Sequence, residues 1–185
     1  MPTVTTTADL QAQLDHLRAA PADVGTLEMI VRRPGQGLRE ILGEGVLDEA
    51  EGLRGDSWLS RATSRAIGEG RHLDAMITVM SARMVGLLGP TADVRALAGD
   101  QLYVDLDLSH DNLPAGSRIR IGDDVVLEVT AKPHAGCRKF LKRFGADAVA
   151  FVNSEEGTRM RLRGLNSRVV SGGVVRPGDV VRRLG

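Results

Sequence analysis

The chain has 185 residues, 42% hydrophobic and 26% charged, with 22 Gly and 7 Pro, a composition that excludes disordered and collagen-like order and fits a globular domain able to bury a sizeable core. Lys+Arg and Asp+Glu balance at 24 each and aromatic residues make up 3%, so there is neither a general electrostatic pull toward nucleic acid or an anionic membrane nor a set of rings on which bases could stack. One Cys cannot form an internal disulfide, the start MPTVTTTADLQAQ has no basic, apolar leader pattern, and no apolar run approaches the about 20 residues of a spanning helix. The expectation is a cytoplasmic protein with no nucleic-acid or membrane partner.

In chain order, Leu10, Leu14 and Leu17 at i, i+4, i+7 spacing predict a short amphipathic helix with Thr7 as N-cap, ended by Pro21 and Gly25. Residues 1–22 then form an N-terminal helical extension and residues 26–185 one domain. Thr26 to Arg33 (TLEMIVRR) is rich in β-formers and precedes Pro-Gly, which predicts the first strand. Arg32 and Arg33 end it, where basic residues commonly serve solubility. The Gly68-Glu69-Gly70 region reads as an irregular surface loop. Further strands are predicted at Ile77 to Met80, Gln101 to Leu108, Arg118 to Ile121, Val125 to Thr130, Thr158 to Arg163, and in runs around Val174 and Val180. In the second of these, Leu102, Val104, Leu106 and Leu108 point one way and Tyr103, Asp105 and Asp107 the other.

Turns at Gly122-Asp123-Asp124 and Pro177-Gly178-Asp179 each lead into β-branched runs, so Val125, Leu127, Val180 and Leu184 are expected to share one interior. Helices are predicted near Ser81 to Leu88, with Ser81 as N-cap, and from Cys137 through KFLKRF to Gly145. The fold class is mainly β with short helices, a barrel or sandwich.

Several chemistries lack a required residue. The four His and one Cys contain no zinc-finger or HExxH spacing. Asp105, Asp107, Ser109 and Asp111 alternate like a calcium loop, but His110 and Gly116 stand where the turn glycine and terminal Glu belong. There is no P-loop, and Gly68-x-Gly70 lacks the third glycine of a dinucleotide fingerprint.

The informative segment is Val125 to Gly145, VVLEVTAKPHAGCRKFLKRFG, which places a thiol at the start of a helix. There the aligned peptide dipoles and free N–H groups favour a thiolate, Arg138, Lys139, Lys142 and Arg143 add positive charge, and His134 could reach the sulfur. These residues alone fit a reactive thiol and a small buried hydrophobe equally well.

PHAGCRKF after a strand, Phe151-Val152-Asn153-Ser154, Gly157, Arg161-Leu162-Arg163-Gly164 and Gly173-Val174-Val175-Arg176-Pro177-Gly178-Asp179-Val180-Val181 resemble the MOSC domain, named for the C-terminal part of molybdenum cofactor sulfurase. Gly52 to Trp58 and Gly99-Asp100-Gln101-Leu102 are similar to further pieces of its pattern, so the resemblance covers roughly Thr26 to Leu184. It implies a MOSC-type β-barrel whose cysteine, here Cys137, carries sulfur as a persulfide or ligates the molybdenum of a pterin, the molybdenum cofactor (molybdopterin). Cofactor-holding relatives reduce N-hydroxylated bases or amidoximes with electrons from a partner, so an electron-donor or sulfur-donor protein is implied. The competing reading is a non-catalytic binding or scaffold domain with a buried cysteine.

Two positions depart from the amidoxime-reducing relatives. The stretch after the first strand, basic there at the cofactor phosphate, reads Pro34-Gly35-Gln36-Gly37, and their Asp-Arg-x-Trp appears as Gly55-Asp56-Ser57-Trp58. Cations elsewhere are candidates for the phosphate: His134, Arg138, Arg161 and Arg163 join Cys137 as expected cofactor-binding residues. If Thr158 to Arg163 is a strand, Arg159, Arg161 and Arg163 share one face, as an anion site or, more commonly, a solvated surface.

Overall fold

A computed structural model describes residues 6–185; the first five residues of the predicted extension lie outside it. Helices α1 (Thr7–Gln11) and α2 (Leu14–Arg18) precede β1 (Val24–Arg32), β2 (Glu40–Leu42), β3 (Gly45–Asp48) and β4 (Gly52–Leu53). A 3-10 turn at Leu59–Arg61, α3 (Ser64–Gly68) and a second 3-10 turn at Arg71–Ala75 lead to β5 (Ile77–Ser81), α4 (Ala82–Leu88), α5 (Ala92–Ala96) and β6 (Leu102–Asp105). Then follow β7 (Arg118–Ile121), β8 (Val125–Val129), α6 (Arg138–Val152), α7 (Glu155–Arg159), β9 (Leu165–Ser171), β10 (Gly173–Val175) and β11 (Val180–Leu184).

Seven strands close a barrel in the order β11-β7-β8-β9-β5-β6-β1, with β1 returning to β11. The β5–β6 pair is parallel and the others antiparallel. β2 pairs with the far end of β1, and β10, β3 and β4 make a second small sheet. The expected MOSC-type barrel is the fold observed.

Side-chain alternation drives this closure. In β7, Arg118 and Arg120 face solvent while Ile119 and Ile121 are fully buried, and in β8 Val125, Leu127 and Val129 point inward, the period of 2 that a half-buried strand requires. β5 is buried throughout, because Ile77 and Val79 fill the barrel while Met80 lies under the helices. The core thus has two parts, the barrel interior and a layer in which Leu10, Leu17, Met84, Phe140 and Phe151 cover the outer face of β1, β5 and β6. The alternation predicted at 101–108 holds, with one difference. Tyr103 does point away from the interior but is fully buried beneath that helical layer.

Other expectations need correction. The N-terminal periodicity is carried by two short helices, and the N-cap is Thr6, whose side chain accepts from the Asp9 N–H in a capping box. Thr7 instead donates its hydroxyl to Asp147 Oδ1 at 2.5 Å. Around Gly68-Glu69-Gly70 the chain ends α3 and enters a 3-10 turn. Val180 is 49% exposed and Val181 is the buried residue, so the inward phase of β11 is one residue later than predicted and Leu184 shares the outward side.

Thr158 to Arg163 is not a strand. Ser154 caps α7 by accepting from the Gly157 N–H, and Glu155 and Glu156 occupy the first turn, where the helix dipole favours acids. The real strand is β9, which begins after Gly164. A Cβ there would lie 2.2 Å from the Val79 carbonyl oxygen, at a φ of +107°, so only glycine allows this close approach to β5.

Candidate functional site

The loop between β8 and α6 is fixed at several points. Asn166 Nδ2 of β9 donates to the Lys132 and Pro133 carbonyls at 3.1 Å each. Asn153, beyond the end of α6, accepts from the Gly136 N–H at 2.8 Å and donates to the Gly136 carbonyl at 3.0 Å. Cys137 follows as the N-cap of α6, in extended conformation (φ −113°, ψ 177°), and its thiol is exposed. Partial burial raises its pKa, but the N–H groups of Phe140 and Lys139 and the charge of Arg163 outweigh that effect and leave the thiol below its ordinary value. The reading as a buried hydrophobe therefore fails at this position.

Behind the cysteine lies a buried ion network. Asp100, fully buried, accepts from Arg163 Nη1 at 2.5 Å through Oδ2 and contacts His134 Nε2 at 2.7 Å through Oδ1. Burial alone would raise the Asp100 pKa, but the charges of Arg163 and His134 hold it at about 2. The carboxylate is therefore ionised at neutral pH, and Nε2 of His134 must be the donor. Arg163 also donates to the Ala98 carbonyl at 3.0 Å and stacks its guanidinium 4.8 Å from the Phe140 ring centre, in the first turn of α6. No hydrogen bond joins His134 to Cys137 among the described residues; the histidine is committed to Asp100 instead.

A basic groove of 620 Å³ extends from the same helix. Its cations are Arg33, Arg39, Arg61, Lys139, Lys142 and Arg143, and no Asp or Glu lines it among the described residues. Arg33 is buried and neutralised by Asp56, with Nε to Oδ2 and Nη2 to Oδ1 both at 2.9 Å, so it is not the solubility residue its sequence position suggested. Among the described residues Arg39 has no carboxylate partner, and its buried Nε makes no hydrogen bond. Burial first, then the nearby charges of Arg143 and Arg33, lower its pKa. α6 has no acid in its first turn, and four cations within its first six residues oppose the helix dipole. That arrangement costs stability unless an anion sits there.

The other expected site residues separate. Arg138 is exposed on the first turn of α6 and has no partner among the described residues. Arg159 is exposed on α7, while Arg161, in the left-handed region at φ 49°, and Arg163 are buried. The three arginines therefore form no common stripe, because the segment turns as a helix end. The groove arginines Arg39 and Arg61 were not foreseen, and Arg143 was expected only as positive charge beside the thiol. Only their positive charge was visible, since about a hundred residues separate Arg39 from Arg143.

The MOSC domain family matches residues 91–182, the span that contains Asp100, the cysteine loop, Arg163 and the start of the closing strand β11. The chain carries a MOSC domain. Solved structures of similar fold include YuaD from Bacillus subtilis, with a TM-score of 0.59 at 16% identity over 85% of this chain and 94% of that one. YiiM from Escherichia coli has a TM-score of 0.52 at 18% identity over 86% and 70%. YiiM from Geobacillus stearothermophilus has 0.58 at 13% identity over 87% and 75%. At these identities they establish the fold alone. No curated protein matches the sequence significantly. Strands β1 and β5, outside the matched span, complete the barrel, and the segments between them supply Arg33, Arg39 and Arg61 to the groove. Among the described residues no helix is long and apolar enough to cross a membrane.

Proposed function

We propose that this MOSC protein holds a molybdenum-pterin cofactor, with the Cys137 thiolate as the protein's metal ligand and the cofactor phosphate in the basic groove. The observation that carries this reading is the adjacency of an exposed, low-pKa thiol to six groove cations with no lining acid, Lys139 and Lys142 standing one turn beyond the cysteine on α6. The orphaned Nε of Arg39 fits a phosphate oxygen that accepts from it. A soft thiolate suits molybdenum. No group of three or more His, Cys, Asp and Glu could cage an ion among the described residues, so the remaining ligands must come with the cofactor. The missing basic residues in the 34–37 stretch are replaced, in this reading, by Arg39 just ahead of β2, Arg61 of the 59–61 turn and the cations of α6.

When bound, the cofactor supplies two-electron chemistry at the metal, as in relatives that reduce N-hydroxylated compounds with electrons from a partner protein. The chain's own contribution is electrostatic and positional. Arg163, held by Asp100, maintains positive charge beside Cys137 and adds to the backbone N–H groups that favour its thiolate form. His134 is oriented through Nε2 by Asp100, leaving Nδ1 without a partner among the described residues and available to move a proton at the edge of the cysteine loop.

The test is elemental and pterin analysis of the full chain purified from a host that makes the cofactor. Near-stoichiometric molybdenum is expected in the wild type, with loss in Cys137→Ala and in Lys139→Glu/Lys142→Glu. Wild-type protein without molybdenum refutes the reading. If it then gains a reducible sulfur mass from a persulfide donor, and Cys137→Ala does not, the protein is a sulfur carrier.

A further inference from the structure

A second cavity, of 190 Å³, lies between the 130–135 loop and the 157–165 segment, and shares no lining residue with the basic groove. His110, Lys132, His134, Arg161 and Arg163 line it, and among the described residues no Asp or Glu does. His134 and Arg163 are paired with the Asp100 carboxylate, although the sealed Nε of Arg163 makes no hydrogen bond among the described residues. Arg161 is placed differently. It is 91% buried, at 9% exposure, yet no carboxylate lies within ion-pair distance of it among the described residues.

Its Nη1 donates to the Leu113 carbonyl at 2.5 Å and the Leu108 carbonyl at 3.2 Å. Nε and Nη2 make no hydrogen bond among the described residues and are not sealed from solvent. Burial lowers the Arg161 pKa, and burial together with the Arg161 charge lowers that of His110. A guanidinium withdrawn from water with one edge unused is costly unless a counter-ion reaches it.

We propose that this cavity binds a small carboxylate, received by the free Nε–Nη2 edge of Arg161. That edge presents two parallel N–H donors at the spacing of two carboxylate oxygens. The cavity contains a single buried guanidinium lacking a carboxylate, which suits a monoanion better than a phosphate dianion. The carboxylate site needs neither Cys137 nor the groove cations, which do not line it, although His134 and Arg163 of the cysteine site share its wall.

Calorimetric titration of the full chain with acetate, and separately with inorganic phosphate at matched ionic strength, tests the site. One saturable acetate site is expected, weakened at least tenfold in Arg161→Gln. Thr158→Glu places a carboxylate on the cavity wall while leaving both Arg161 carbonyl bonds intact, and is expected to cause the same loss in a chain that still folds. The proposal is overturned by absent acetate saturation, by unchanged affinity in Thr158→Glu, or by phosphate binding more tightly than acetate.

Discussion

Replacing Asp100 by Asn removes one charge from the centre of the buried network while keeping its shape. Both oxygens of Asp100 are engaged, its exposure is 0%, and Arg163 is only 5% exposed. The depression of its pKa from 3.8 to about 2 corresponds to about 2 kcal/mol favouring the folded, ionised form. Stranding the Arg163 guanidinium raises the expected cost to about 3–5 kcal/mol, or a melting temperature lower by about 6–20 °C for a domain of this size. The folded pKa lies below the unfolded one, so this stabilisation is complete above pH 3.8 and disappears as pH falls through about 2. Urea unfolding of wild type and Asp100→Asn at a series of pH values measures both quantities. A difference below about 1 kcal/mol at pH 7, or one that stays constant through this acid range, refutes the network argument.

Two further outcomes follow from the site and the barrel. Alkylation of Cys137 against pH is expected to show a midpoint below the ordinary thiol value of 9.0, with reactivity lost as pH falls and the thiolate is protonated; Arg163→Gln is expected to move the midpoint upward. At the closing strand, Val181→Ala is expected to cost about 2 kcal/mol in chemical unfolding, since Val181 is fully buried. Val180→Ala, at a site 49% exposed, is expected to cost less than about 0.5 kcal/mol, and equal effects would mean that the inward phase of β11 is misassigned.

What the sequence revealed was local in origin. β7 and β8 were legible because alternating Arg-Ile and Val-x-Leu-x-Val patterns need no distant partner, and Ser81 announced α4 as a capping residue before an apolar run. The position of Cys137 at a helix start was legible for the same reason. β9 was hidden because Asn166 and Ser167 resemble turn residues; in the barrel they are buried and bonded, Asn166 to the cysteine loop and Ser167 to the Ile77 carbonyl at 3.0 Å. The pairing of Asp100 with Arg163, 63 positions apart, and the gathering of Arg39 and Arg143 beside the 97–99 turn depend on chain reversals that no local pattern encodes. The alternation of Arg159, Arg161 and Arg163 suggested a strand because the capping role of Ser154 five residues upstream was overlooked.

β1 meets β11 through three residue pairs, Val24 with Arg182, Gly25 with Val181 and Thr26 with Val180. This short seam is the clasp of the ring. During synthesis β1 emerges first of the barrel strands and β11 last, so a nascent chain carries two raw sheet edges, one on β1 and one on β7, until the final strand is available to cover both. A chain cut short before Val180 would keep most of its apolar interior and the complete cysteine loop, yet would expose two strand edges able to recruit copies of themselves.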